Sequence, residues 1–181
     1  MAVERVERQL REVTGALDDA RIEYAVVGGN AIAAWVASVD AEAVRTTKDV
    51  DLLVNRGDLA RMRETLDPLG YEQAEVLGVW MFMHSENPSP KSAVHLLFAN
   101  EVVRPGDVAP APSASDAVTH LDDFRVLDLR NLVAMKLQAF RKRDQVHIYD
   151  LISIGLVDRS WVERYPAELG ARLTELLDNP E

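Results

Sequence analysis

Cysteine is absent from this chain of 181 residues. Its absence excludes disulfide bonds, thiolate zinc sites and cysteine nucleophiles. Any metal that the protein binds therefore needs oxygen or imidazole ligands.

Long apolar runs are absent as well. No stretch approaches the roughly 20 residues that a helix needs to cross a bilayer. The first residues, MAVERVERQLRE, are charged and unlike a signal sequence. We therefore expect a cytoplasmic protein with no membrane partner.

Basic residues are few compared with acidic ones: 20 Lys and Arg stand against 30 Asp and Glu, which gives a net charge of -10. This balance argues against broad, sequence-independent binding to nucleic acid, because such binding depends on neutralising phosphates. A local basic patch still allows contact with RNA, and the candidate is the cluster Arg141, Lys142 and Arg143. The simpler interpretation is a solvated end of a helix whose dipole these cations complement.

The N-terminal segment predicts an amphipathic helix with a packing role. Its apolar residues recur at steps of three and four, and they are Val3, Val6, Leu10, Val13 and Leu17.

The stretch from Tyr24 to Val54 predicts a strand, a turn, a helix and a second strand. The apolar run Tyr24–Val27 ends at Gly28 and Gly29, and an Ala-rich helix is predicted from Asn30 to Val39, just after the glycine pair. In the second strand, 50–54, side chains alternate, so that Asp49 and Asp51 point the same way.

The rest of the chain predicts further strands and then helices. A third helix is expected at 59–69, with Asp58 as a possible N-cap and Gly70 as a possible stop. Strand-like segments follow at 71–77, 79–84, 93–99, 118–121 and 124–127, with a loop at 100–116. Three helical segments complete the chain: one from the N-cap Asp128 to Phe140 ending in the basic cluster, one at 144–156, and one at 161–177 interrupted by Pro166. We predict an α/β (α+β) fold, a mixed sheet flanked by helices, with a core at 1–127 and a C-terminal helical subdomain at 128–181.

The paired aspartates suggest a metal site. Two carboxylates on one face of a strand can hold a hard divalent cation such as Mg²⁺, which usually keeps waters and substrate phosphates as its other ligands. A Gly-Gly turn at a helix N-terminus offers backbone N–H groups and a positive dipole end to a phosphate. Each signal also has a simpler interpretation, a solvated strand edge for Asp49 and Asp51 and a common turn for Gly28 and Gly29. The order strand, Gly-Gly turn, helix, loop and strand with the aspartate pair strengthens the functional interpretation of both signals.

The segments VVGGNAIAAW and RTTKDVDLLV resemble the nucleotidyltransferase superfamily, in which a Gly-Gly or Gly-Ser turn precedes paired Asp residues on the next strand. Within it, the chain is most similar to the AbiEii-like group of abortive-infection and toxin–antitoxin toxins. The segment LVAMKLQAFRKRDQVHIYDL resembles that group's downstream helical motif. The resemblance covers about 24–156.

The resemblance implies a role for each matching residue. Asp49 and Asp51 match the metal-binding pair, and Gly28, Gly29 and Asn30 match the turn that holds the triphosphate. Lys136 matches a helical lysine that contacts the phosphates, whereas an isolated lysine in an apolar helix is usually a surface residue. The later acidic positions are matched by Asp144 and Asp150.

His95 departs from the pattern, because the superfamily often has a third carboxylate on a later strand. An imidazole can accept a proton or ligate a metal, but it lacks the negative charge of Asp.

The resemblance implies transfer of a nucleoside monophosphate from an NTP, with Mg²⁺ or Mn²⁺, to a hydroxyl or phosphate acceptor. The acceptor is RNA, a protein or a small molecule, and an antitoxin is expected as a further partner. The alternative is a nucleotide-binding module or toxin–antitoxin component that acts by binding alone.

Overall fold

The computed structural model describes residues 2–121 and 123–179. Their strands form one seven-stranded mixed sheet, in the order β3-β4-β5-β2-β1-β7-β6. The strands are β1 (Tyr24–Val27), β2 (Val50–Val54), β3 (Tyr71–Val76), β4 (Val79–His84), β5 (Val94–Phe98), β6 (Ala117–Leu121) and β7 (Phe124–Leu127).

Helices flank this sheet, which confirms the predicted fold class. The helices are α1 (Ala2–Asp19), α2 (Gly28–Ala37), α3 (Leu59–Leu66), α4 (Leu129–Ala139), α5 (Lys142–Ser153) and α6 (Ala167–Asp178). Helix α1 contacts α3, whereas α2 contacts β1, β2, α4 and α5. The apolar stripe of α1 is buried at Val6, Leu10, Val13 and Leu17. The side chain of Val3, also predicted for that stripe, lies outside the described residues.

The two strands predicted around the glycine turn lie side by side at the centre of the sheet. Strand β2 is antiparallel to β1 and parallel to β5. In this register Asp51 lies opposite Val27 on one side and His95 on the other. The start of α2, the start of β2 and the start of β5 therefore meet at one place.

Several predicted boundaries were wrong. Helix α2 begins at Gly28 instead of after the glycine pair and ends at Ala37. The final predicted helix is broken as Pro166 suggested, into a 3-10 helix at Arg159–Arg164 and α6.

The predicted stop and caps have different outcomes. Helix α3 is followed by a 3-10 turn, Asp67–Leu69, and the chain then turns at Gly70, whose φ of 84° is left-handed. Asp58 occupies the N-cap position of α3 without a side-chain capping bond, whereas Asp128 caps α4 by accepting from the Asn131 N–H.

One cluster of buried side chains runs through the sheet and the helices. It contains Val13 from α1, Leu52 from β2 and Leu132, Leu151 and Leu173 from the three C-terminal helices. The boundary after 127 therefore remains a prediction, with residues from both sides sharing this core. No helix among the described residues combines the length and the apolar character needed to cross a membrane.

Candidate active site

The contact between Gly28 and Asp51 is the geometric centre of the candidate site. Gly28 has a φ of +68°, and a Cβ added to it would lie 2.1 Å from Asp51 Oδ2. The carboxylate thus occupies the space that a side chain at residue 28 would fill. Glycine is required here twice, for its left-handed backbone and for this close approach.

The first turn of α2 faces the same place. Its N-cap residue is Val27, which makes no side-chain capping bond. The first N–H groups of a helix have no partner within the helix, and they carry its positive dipole end. A Cβ added at Gly29 would approach Thr47 Cγ2 to 2.8 Å, so the loop before β2 packs closely on this turn. The combination of half-buried glycines and uncapped N–H groups suits an anionic group such as a phosphate.

Asn30 joins the first turn of α2 to that loop. Its Nδ2 donates to the backbone oxygen of Asp49 at 2.7 Å, and its Oδ1 accepts from Thr47 Oγ1 at 2.6 Å. Sequence reasoning assigned Asn30 to the phosphates and missed Thr47. The polar run Arg45 to Lys48 marked a loop, but nothing in the sequence indicated that one of its hydroxyls reaches α2.

His95 lies beside Asp51 with both ring nitrogens near acceptors. Its Nδ1 is 3.6 Å from Asp51 Oδ1, and its Nε2 is 2.8 Å from the backbone oxygen of Pro90. The neighbouring Asp51 carboxylate raises the pKa of His95 above its ordinary value, against the opposing effect of burial. When the ring is neutral, the carbonyl of Pro90 favours the proton on Nε2, which leaves the lone pair of Nδ1 towards Asp51.

The donor atoms suit a hard cation with few protein ligands. The described residues contain no group of three or more His, Cys, Asp or Glu arranged to hold a metal ion. Mg²⁺ is commonly bound by one or two carboxylates together with substrate phosphates. Asp49 and Asp51 are both half-buried, and the second carboxylate lies against the start of α2. The residues present therefore fit Mg²⁺ or Mn²⁺ shared with a phosphate ligand.

Lys136 is buried, so the surface interpretation was wrong. It is 7% exposed, and its Nζ lies 3.3 Å from Oδ1 of the fully buried Asp144. Burial is the largest influence and lowers the pKa of Lys136, although Asp144 and Asp51 favour its charged form. The positive charge of Lys136 thus acts on Asp51 from inside the core.

The basic cluster does not end α4, which was another wrong prediction. Phe140 ends that helix in a left-handed conformation, and Arg141 is the N-cap of α5. Cations are unfavourable at a helix N-terminus. Asp144 compensates, because it accepts from the backbone N–H of Arg141 at 3.2 Å and from its Nε at 2.7 Å. Burial alone would raise the pKa of Asp144, but Arg141 and Lys136 outweigh it and hold that pKa below its usual value.

Asp150 lies apart from Asp144, as expected from their spacing on a helix. It accepts from Nε of Arg45, at 2.9 Å to its Oδ2, and so ties the loop before β2 to α5. A small cavity of about 20 Å³ lies nearby, lined by residues of α2, the loop and α5 that include His147. His147 Nδ1 is buried there with no hydrogen-bond partner among the described residues.

The structure therefore brings Gly28, Asp51 and His95 into contact or near contact. It links Asp49 to the same turn through Asn30, and it places Lys136 behind the site in the core.

Comparison with known proteins identifies a family and agrees with the fold. A family model described as "Uncharacterised nucleotidyltransferase" matches residues 1–135. Among solved structures, an antigenic nucleotidyltransferase-like protein from Paracoccidioides brasiliensis is similar, with a TM-score of 0.58, 15% identity, and coverage of 98% of this chain and 89% of that one. The antibiotic-resistance factor ANT(2'')-Ia is also similar, with a TM-score of 0.51, 14% identity, and coverage of 97% and 84%. At these identities the two likenesses show the fold. No curated protein matches the sequence.

Proposed function

Because this chain belongs to the family of uncharacterised nucleotidyltransferases, we propose that it transfers a nucleoside monophosphate from an NTP to a hydroxyl or phosphate acceptor, with Mg²⁺ or Mn²⁺. The observation that carries this proposal is the contact between Gly28 and Asp51, since it places a carboxylate directly at the N-terminus of a helix. Negative side chains and phosphates compete for such a position unless a cation joins them. The contact thus supports a metal shared by protein and nucleotide.

Each residue near this contact has a role in the proposal. Asp49 and Asp51 hold the metal, and the Gly28-Gly29 turn binds the triphosphate with backbone N–H groups. When bound, the ion neutralises charge on the phosphates and polarises the transferred group. Lys136, whose charged form Asp144 and Asp51 favour against the effect of burial, supplies positive charge from the core to Asp51 and to phosphates near it.

His95 is the residue proposed to handle the proton of the acceptor. In the transfer, the acceptor oxygen forms a bond to the α-phosphorus, and the bond from that phosphorus to pyrophosphate breaks. The acceptor hydroxyl loses its proton as its oxygen attacks. Neutral His95, held by Pro90 through Nε2, can accept it at Nδ1.

The acceptor is proposed by chemical class only. The net charge of -10 disfavours a large RNA, although Lys142 and Arg143 are exposed in the first turn of α5. A protein side chain or a small molecule avoids this repulsion. A toxin-like role with a cognate antitoxin, as in the AbiEii-like group, remains part of the proposal and rests on the sequence resemblance.

A second candidate function is nucleotide binding without transfer. The observation that favours it is His95, which lies opposite Asp51 on the neighbouring strand β5, where the family resemblance led us to expect a third carboxylate. With two carboxylates the site can still hold a nucleotide and one cation, while it has less negative charge to organise a second.

Label transfer separates the two candidates. The protein is incubated with each labelled NTP, Mg²⁺ and either cell RNA or a cell extract that supplies protein and small-molecule acceptors, and the variant Asp49→Asn is compared with Asp19→Asn. Asp19 is exposed at the end of α1, and its variant makes the same charge change. It precedes the first residue of β1, whereas the glycine turn follows the last residue of that strand. Transfer that survives in Asp19→Asn and disappears in Asp49→Asn supports the enzyme. Binding of NTP with no transfer supports the module. Both candidates fail if neither NTP nor Mg²⁺ raises the melting temperature at saturation, because a ligand of the folded state must stabilise it.

A further inference from the structure

Asn30 uses both ends of its side-chain amide to hold the loop that carries Asp49. Its partners determine where the amide nitrogen and the amide oxygen lie. The backbone oxygen of Asp49 only accepts hydrogen bonds, so the amide nitrogen of Asn30 must face it at 2.7 Å. The amide oxygen then faces the hydroxyl of Thr47, which donates to it at 2.6 Å. We call these three residues the Asn30 clasp.

The sheet itself does not fix Asp49. The pairing of β2 with β5 begins at Val50, and its pairing with β1 ends at Asp51. Asp51 therefore has its backbone held on both sides, whereas Asp49 lies just before the ladder. The two hydrogen bonds of Asn30 supply the attachment that strand pairing leaves out there.

The first turn of α2 thus contacts both aspartates in different ways. Gly28 touches the side chain of Asp51, and Asn30 binds the backbone of Asp49. We propose that Asn30 and Thr47 are positioning residues that set the carboxylate of Asp49 for metal binding, and that Asn30 does not act as a phosphate ligand. This inference rests on the proposed function, because it assumes that Asp49 binds the metal.

A second tie on the same loop is weaker. Arg45 pairs with Asp150 of α5, whose side chain is 15% exposed, but the side chain of Arg45 itself is 65% exposed. Exposed ion pairs contribute little because water screens them and because ordering two long side chains costs entropy. The half-buried clasp, in contact with the glycine turn, is therefore the main restraint on the segment before Asp49.

The test measures Mn²⁺ binding directly, without nucleotide, by the electron paramagnetic resonance signal of free Mn²⁺. Thr47→Val keeps the shape of the side chain and the Cγ2 that packs on Gly29, but it removes the donor to Asn30. We expect roughly fivefold weaker Mn²⁺ binding, the effect of one net hydrogen bond. Thr47→Ser keeps the hydroxyl and is the matched control, with binding close to that of the native protein.

Asn30→Ala removes both hydrogen bonds, and we expect Mn²⁺ binding weakened by about tenfold or more. If the two residues act through one another, adding Thr47→Val to Asn30→Ala weakens binding no further, because the hydrogen bond is already lost. A melting temperature is recorded for every variant. A general loss of structure lowers it, whereas loss of positioning changes Mn²⁺ affinity at a melting temperature near the native one.

Three results would overturn the inference while leaving the proposed function in place, provided that the native protein binds Mn²⁺ and Asp49→Asn does not. One is native Mn²⁺ affinity in Thr47→Val. Another is native Mn²⁺ affinity in Asn30→Ala together with a raised KM for NTP, which would make Asn30 a phosphate ligand. The third is full additivity in the double variant. If the native protein bound no Mn²⁺, alone or with a non-hydrolysable NTP, the proposed function would fail as well.

Discussion

Replacing Gly28 with alanine tests the contact on which the site is built. The new methyl group would lie 2.1 Å from Oδ2 and 2.8 Å from Cγ of Asp51, at a residue whose φ is +68°. The left-handed backbone costs an alanine about 1–2 kcal/mol. Overpacking typically costs a further ~1–3 kcal/mol. We therefore expect Gly28→Ala to lower the free energy of unfolding by about 2–5 kcal/mol. If the Asp51 side chain rotates away, the loss moves towards the lower value, and the carboxylate leaves its position at the helix N-terminus.

A matched control isolates the steric part of this loss. Gly78, in the turn between β3 and β4, has a φ of +78° and nothing within 4 Å of an added Cβ. Gly78→Ala therefore pays only the backbone cost, about 1–2 kcal/mol. The assay is urea denaturation of both variants, each also made in an Asp51→Ala background.

Removing the Asp51 carboxylate removes the two closest contacts and leaves the one at 3.0 Å from the Cβ of residue 51. In that background we expect the cost of Gly28→Ala to fall towards that of Gly78→Ala. The reasoning is refuted if Gly28→Ala costs the same in both backgrounds within about 0.5 kcal/mol, since independent sites add to that accuracy.

Two further predictions concern buried charge. Asp144→Ala leaves the buried cation of Lys136 without its partner, and we expect a loss of about 3–5 kcal/mol in urea denaturation. Asp150→Ala removes a pair whose Arg45 side chain is 65% exposed, and it is expected to cost less than Asp144→Ala. Equal losses would contradict this. Burial lowers the pKa of His147 from 6.5 to about 4, so its neutral form stabilises the native state above pH 6.5, and that contribution is lost as the pH falls from 6.5 towards 4. Relative to His147→Gln, the native protein should lose about 1–2 kcal/mol over this range, a figure reduced for the partial exposure of the ring, and parallel stability profiles would contradict it.

The central strands were predictable because they are buried on both faces. The runs at Tyr24–Val27 and Val50–Val54 are apolar apart from Asp51, and both strands have the bounds expected from sequence. Buried strands produce continuous apolar segments, which end where a glycine or a polar loop begins. Strands β4 and β7 also have the predicted bounds, although β4 is only partly buried and β7 contains Arg125.

The break between α4 and α5 was predicted, but the basic residues beside it were assigned to the wrong helix for a physical reason. The left-handed residue that ends α4 is Phe140, with a φ of 46°, where glycine is the usual choice. A phenylalanine continues the apolar periodicity and gives no sign of a stop. The basic residues that follow were therefore assigned to the end of α4, although Arg141 occupies the N-cap position of α5 and the other two begin that helix.

The candidate site was predictable in part. The sequence order of Gly28 and Asp51 predicted that the start of a helix lies near a carboxylate. The structure puts the two residues in contact. The partners of Asn30 and Lys136 were not predictable. Hydrophobic periodicity reports which face of an element is buried, but it carries no information on which polar group meets which across the fold. Asn30 bonds to a loop hydroxyl, and Lys136 to a carboxylate on the next helix.

The strand order also determines when this protein can assemble its centre during folding. Strand β1 lies between β2 and β7, so Val26 pairs with Val126 from far along the chain. Strand β2 likewise needs β5, which follows the hairpin of β3 and β4. Contacts between distant segments require closure of long loops, which slows folding. On the ribosome, β1 has both of its neighbours only after β7 has emerged, so the centre of the sheet is completed late in synthesis, after the outer β3–β4 hairpin has become able to form.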